Sequence, residues 1–151
     1  MTISQREQRY QEYFETPIGT LQAEHDLFSN ATGDGGRWHG FATDIPGVSY
    51  RIAFLLGEQP AVRIVIDRSD HEWNRWLFDR LFEFREAIQA EIPDPLVWDY
   101  VEGRRRCIVS VVRDGSIADP RETWPEMQTW MVERLLAFKR VFSPHPQELV
   151  E

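Results

Sequence analysis

Two runs of alternating apolar residues lie next to each other in the middle of the chain and constrain the fold more than any other feature. Val48, Tyr50, Ile52, Phe54 and Leu56 place their side chains on one face of an extended segment; Val62, Ile64 and Ile66 do the same after the break Gly57-Glu58-Gln59-Pro60. A period of two means a strand with one buried face, and so short a break means an antiparallel hairpin. A sheet with one apolar face needs a second layer to cover it.

Helical patterns supply that layer. Trp73, Leu77, Leu81, Phe84 and Ile88 form an amphipathic stripe on a helix expected from a Ser69/Glu72 capping box to about Glu91, where Pro93-Asp94-Pro95 stops it. A Thr123/Glu126 capping box opens a last helix carrying Met127, Met131, Leu135, Phe138 and Phe142, ended by Pro144 and Pro146. Near the start, Ser4 and Glu7 have capping-box spacing ahead of Tyr10, Tyr13 and Phe14. Thr16-Pro17 reads as a restart, with Thr16 as N-cap and Ile18, Leu21 and Phe28 continuing the apolar face. The run Asn30-Ala31-Thr32-Gly33-Asp34-Gly35-Gly36 reads as a break.

Residues 37–43 make a weak strand; residues 96–101 and 105–112 make two more around a Gly103 turn, with Cys107, Val109 and Val111 on one face, and Asp114-Gly115 is a turn. The order is α-βββ-α-ββ-α. The expected fold class is α+β, an antiparallel sheet of about five strands with helices packed mainly on one face. One domain spans 1–151: a helical segment over 1–36, the sheet with two covering helices over 37–142, and a frayed tail over 143–151.

Composition narrows the function classes. A net charge of −8 argues against a general affinity for phosphate backbones. Lys139 is the only lysine among 17 cations, and the bland reason for that is genome composition. Cys107 is the only cysteine, which excludes an intrachain disulfide and a multi-cysteine zinc site and fits a reducing compartment. The polar start of the chain and the lack of an apolar run of ~20 residues predict a cytoplasmic protein with no membrane partner.

Tests for catalytic chemistry find no catalytic residue. Asp67 ends a strand, as a metal-dependent nuclease would need, but Lys139 lies deep in the last helix, and an arginine with a pKa above ~12 cannot replace an orienting lysine. His71-Glu72 begins a zinc-protease motif, yet Arg75 stands where the second histidine belongs. His25, His39 and His145 are scattered, and Gly33-Asp34-Gly35-Gly36 lacks the Gly-Lys-Ser/Thr ending of a phosphate loop. No serine sits in a glycine-flanked elbow, Cys107 lies within a strand expected to be buried, and Asp94 with Asp99 is explained by turns and strand ends. No metal site and no cofactor are expected.

Two features invite a binding role. Arg104, Arg105 and Arg106 place three cations at a turn-to-strand junction, where the ordinary reading is a solvated strand end paired with carboxylates and the functional one an anion or partner contact. Six tryptophans exceed what core packing requires, and Trp76 lies off the centre of its helix stripe, as an interface residue would.

The stretch from Tyr50 to Phe142 resembles the prokaryotic family named domain of unknown function 4268. The resemblance rests on Val62-Arg63-Ile64-Val65-Ile66, Asn74-Arg75-Trp76-Leu77-Phe78-Asp79-Arg80-Leu81, Arg85-Glu86-Ala87-Ile88, Leu96-Val97-Trp98 and Trp124-Pro125-Glu126 with Trp130-Met131, Phe138 and Phe142. Asn74, Phe78, Asp79, Trp98 and Trp130 are its motif positions; relatives commonly carry lysine where Arg75 and Arg85 stand. Members often form the C-terminal part of longer, restriction-endonuclease-like proteins. The matched stretch holds no nuclease region, so no nuclease activity is carried over. The resemblance implies a regulatory or recognition module near DNA-processing or defence systems.

The leading expectation is therefore a non-enzymatic interaction module that self-associates or docks on a protein partner through a helix and tryptophan surface. The alternative is a nucleic-acid-binding accessory or nuclease-related protein. A second alternative rests on element order alone, which is similar to that of secretion chaperones that bind peptides as dimers.

Overall fold

The computed structural model describes residues 1–56, 58–100 and 102–142. The expected tail 143–151 with Pro144, His145 and Pro146, Gly57 of the hairpin and Val101 of the fifth expected strand lie outside the described residues. The chain builds α1 (Ile3–His25), β1 (Ser29–Gly33), β2 (Trp38–Ala42), β3 (Val48–Phe54), β4 (Pro60–Ile66), α2 (His71–Glu83), α3 (Arg85–Glu91), β5 (Val97–Asp99), β6 (Cys107–Val112) and α4 (Trp124–Phe142). All pairings are antiparallel, in the order β1-β2-β3-β4-β6-β5. The fold is α+β, as the alternation requires. No helix among the described residues is long and apolar enough to cross a membrane.

One face of the sheet is closed. Tyr50, Ile64, Val109 and Trp98 lie opposite one another across four strands, and directly opposed residues share a face. Ile52, Val62 and Val111 continue that face, all buried. The helices pack here: Tyr10, Tyr13 and Phe14 of α1 close on Phe54 with ring centroids 5.7, 4.9 and 5.9 Å away. Phe78 of α2 meets Trp98 edge-on at 5.9 Å, and α4 lies along β3 and β4.

Several local expectations are corrected. α1 runs unbroken through Thr16-Pro17. Proline lacks the N–H that would bond the Tyr13 carbonyl four residues back. That carbonyl instead accepts the Gln128 Nε2–H from α4 at 2.8 Å, so tertiary packing replaces the missing helix bond. The first capping box is Thr2 with Gln5, not Ser4 with Glu7. At α2 the cap is Asp70, whose Oδ1 accepts from the Glu72 and Trp73 N–H groups, one residue later than Ser69. No cap forms at Thr123, whose hydroxyl donates to the Pro120 carbonyl at 2.7 Å within a short 3-10 turn.

The single helix expected to Glu91 divides at Phe84, whose N–H bonds three residues back to Leu81; Arg85 Nη1 donates to the freed Phe82 carbonyl. Residues 30–33, expected as part of a break, join Ser29 in edge strand β1 and make the sheet six-stranded, because pairing with β2 overrides weak local propensity. Phe28 and Leu56, expected on apolar faces, are 62% and 87% exposed, since α1 ends at His25 and β3 at Phe54.

Candidate functional site

The second face of the sheet carries different chemistry. Trp38, Ala53, Ala61 and Val112 form one row across it; Gly40, Arg51, Arg63, Ser110 and Val97 form the next. Ala42, Ser49, Val65, Ile108 and Asp99 form a third. Rows of one face are roughly 7 Å apart along a strand. Small residues thus floor a surface from which arginines and one tryptophan rise. Ala61, Val65 and Ile108 are fully buried although the helices lie on the other side.

Arg51 and Arg63 face each other directly across β3 and β4. Like charges so placed repel, and that pairing is unfavourable unless something neutralises it. Among the described residues neither side chain makes a hydrogen bond or ion pair, and the Nε of each is buried without a partner. Arg51 spends its guanidinium face on Trp38, 4.1 Å from the ring centroid. Burial, and then the nearby Arg106, push the Arg51 guanidinium below its ordinary value. Arg63 is pushed down to about 10 by burial first, then by Arg106 and Arg51. It remains protonated at neutral pH.

The arginine triplet splits in role. Arg106 precedes β6 on this face and lines the same cavity of about 420 Å³ as Arg51, Arg63, Trp38 and Arg37. Arg104 is tied to Asp99 at 3.2 Å and Arg105 to Asp67 at 2.6 Å. The two carboxylates nearest Arg51 and Arg63 are therefore already taken. Five guanidiniums against Asp67 and Asp99 leave this corner with a local positive excess in a chain of net charge −8. Arg37 pairs with Asp34 at the rim, 2.6 Å apart.

The motif positions lie behind this site and shape it. Asn74, fully buried, accepts from the Arg68 N–H at 2.9 Å and donates to the Arg68 and Arg105 carbonyls at 2.9 and 3.0 Å, clamping the triplet's turn to the start of α2. Phe78, with Phe82 at 5.3 Å from Trp98, fixes β5 against α2, and β5 carries Asp99. Asp79 takes both of its contacts from Arg75 Nε, whose guanidinium stacks on Tyr100 at 3.9 Å. Trp130 is a buried α4 residue facing the core. Trp76 is 40% exposed on α2, beside Trp73, and does not line the cavity of Arg51, Arg63 and Arg106.

Other residues weighed for chemistry take ordinary places. Cys107 is buried in β6, and burial raises its thiol above the usual range. His39 packs on Phe14 with Nδ1 3.2 Å from the Thr32 hydroxyl, and burial lowers its pKa. Among the described residues no three His, Cys, Asp or Glu side chains are grouped to hold a metal ion.

Arg51, Arg63 and Trp38 are absent from the candidates read from the sequence. The signal for two of them was present: arginine occupies the polar phase of both strands of the hairpin, and the hairpin register pairs them.

The family model with the description Domain of unknown function (DUF4268) matches residues 9–146, reaching upstream of the Tyr50 start of the resembling stretch to take in most of α1 and the first strands. No curated protein and no solved structure matches the chain.

Proposed function

The chain belongs to the DUF4268 family, and from that premise we propose that it is a non-enzymatic recognition module holding an anionic group on the open face of its sheet. The observation that carries the reading is Arg51 opposite Arg63, neither of them ion-paired among the described residues. A fold that leaves two like charges opposed forgoes stability, and an anion entering between them returns it. Guanidiniums suit that role and not turnover, since at neutral pH they neither accept protons nor attack. Asn74 is a positioning residue in this scheme, because it sets the turn that presents Arg106.

Titration with inorganic pyrophosphate, followed through the arginine Nε–H signals in ¹⁵N NMR, tests the reading. Arg51 and Arg63 signals should move and the melting temperature should rise, with both responses lost in Arg51→Met and Arg63→Met. Unmoved signals with pyrophosphate, and with an oligoglutamate peptide, sink it.

A second surface favours a protein contact. Trp76, Phe82, Phe84 and Val97 are 40%, 39%, 36% and 48% exposed around α2, α3 and edge strand β5. Docking or self-association through this aromatic edge fits a regulatory module in the cytoplasm, in a DNA-processing or defence setting. Light scattering of the wild type against Trp76→Glu tests self-association; an unchanged monomer mass in both removes it.

A further inference from the structure

We infer that the group this face takes is the phosphate of a nucleotide unit, free or within a single strand. The inference rests on the anion-recognition reading above and adds what the anion is attached to. Three observations converge.

The first is charge. Arg51, Arg63 and Arg106 converge on one cavity while Arg104 and Arg105 hold the neighbouring carboxylates, so one carboxylate from a ligand leaves the corner cationic and a phosphoryl group matches it better. Guanidinium forks bind phosphate oxygens side-on through Nε and Nη, and two Nε–H donors here have no partner.

The second is a flat wall. Trp38 and Arg51 both line the cavity, the Arg51 guanidinium lying 4.1 Å from the indole centroid. With Gly33 against the other side of the ring, the plane offered to a base is the outer face of that guanidinium, which the indole backs. The indole's place is set by Gly33 across the β1–β2 pair: a Cβ on Gly33 would lie 2.1 Å from the indole Nε1, so the ring occupies the room that glycine leaves.

The third is shape. Ala53 keeps the cavity wall low beside the arginines, and about 420 Å³ is in the range of small-molecule pockets. A duplex is disfavoured, because its second strand meets the field of a chain with net charge −8.

The test compares ADP, a short oligothymidylate, inorganic pyrophosphate, an oligoglutamate peptide and a DNA duplex, each titrated into the full chain. Indole Nε1–H and arginine Nε–H signals serve as readouts. ADP or the oligothymidylate should shift the Trp38 indole signal and bind about tenfold or more tightly than pyrophosphate or oligoglutamate. Which of the two binds tighter separates a free nucleotide from a strand. Trp38→Leu should bring nucleotide affinity down to that of pyrophosphate, and Arg63→Met should weaken it about tenfold with its melting curve intact. Oligoglutamate, pyrophosphate or duplex binding as tightly as the nucleotide probes, with Trp38 unmoved, overturns the nucleotide assignment and leaves anion recognition standing. No binding by any probe overturns both.

Discussion

The two faces of the sheet are made by the same strands, in alternating residues, and follow opposite rules. On the covered face Ile52, Val62, Ile64 and Val111 are wholly buried under α1, α2 and α4, and every side chain there lowers the free energy of folding. On the open face Arg51 and Arg63 raise it by facing each other with no ion-pair partner among the described residues. A chain that needed only a solvated second face would carry one arginine of the pair and one carboxylate. On the proposed reading, stability rests on one face and recognition on the other, and substitutions should separate them.

The largest effect belongs to the covered face. Phe54 is 1% exposed and receives three aromatic rings from α1. Phe54→Ala leaves a cavity between two elements and should destabilise by ~3–5 kcal/mol in urea unfolding. Because Phe54 also lines the cavity of Arg51 and Arg63, binding is compared in Ile64→Ala, a wholly buried residue of the covered face that does not line it, whose folded fraction should bind anions with unchanged affinity. A loss of binding in the folded fraction would mean that the faces are coupled.

Asn74 stands where the faces meet, and its substitution should affect both. Asn74→Ala leaves the Arg68 N–H and the Arg68 and Arg105 carbonyls unpaired in a buried place, a cost of ~2–3 kcal/mol. It also frees the turn that carries Arg106, so anion affinity should fall although Asn74 does not line the cavity. A stability loss with full affinity would show that the clamp serves the fold alone.

Arg63→Met should have the opposite sign. Removing the opposed charge while keeping an apolar stem should stabilise the unliganded protein by ~1 kcal/mol, a figure kept small because the site is partly open to water. The pH dependence follows from the direction of the shift. Arg63 holds its proton less tightly folded, at about 10, than an ordinary arginine does, so the wild-type penalty is complete below about 10. The advantage of Arg63→Met should therefore persist through neutral pH and fade as pH rises above about 10. Burial raises the Tyr13 pKa, which makes both proteins less stable above pH ~10, and taking the difference between them removes that common effect. A destabilised Arg63→Met at neutral pH would break the contrast between the faces.

What could be read from the sequence divides along the same line. Burial leaves a period in the sequence, so β3, β4 and the stripes of α2 and α4 were legible. Features settled by distant partners were not. Pro17 reads as a helix boundary until Gln128, on another helix, takes the Tyr13 carbonyl. Residues 30–33 read as a break until β2 pairs with them. The candidate site shows this most clearly. Reading along the chain finds the run Arg104, Arg105, Arg106, of which two members are engaged with Asp99 and Asp67. The charges without partners, Arg51 and Arg63, come together only across a hairpin register, and a run of charge does not reveal that.

Gly33→Ala tests the contrast at its smallest. Gly33 has extended backbone, φ −136 and ψ 167, which any residue adopts, so the substitution carries no backbone strain. Its whole effect is the Cβ that meets the Trp38 indole at 2.1 Å. The ring must leave its place over Gly33 and weaken its contact with Arg51, a loss of ~0.5–1 kcal/mol, against which the lower entropy of an unfolded alanine returns a comparable amount. Net stability should change by less than ~0.5 kcal/mol, while the Trp38 indole signal shifts and nucleotide affinity falls towards that of pyrophosphate. Unchanged affinity with a displaced ring would remove Trp38 from the site and leave the arginines as the whole of it.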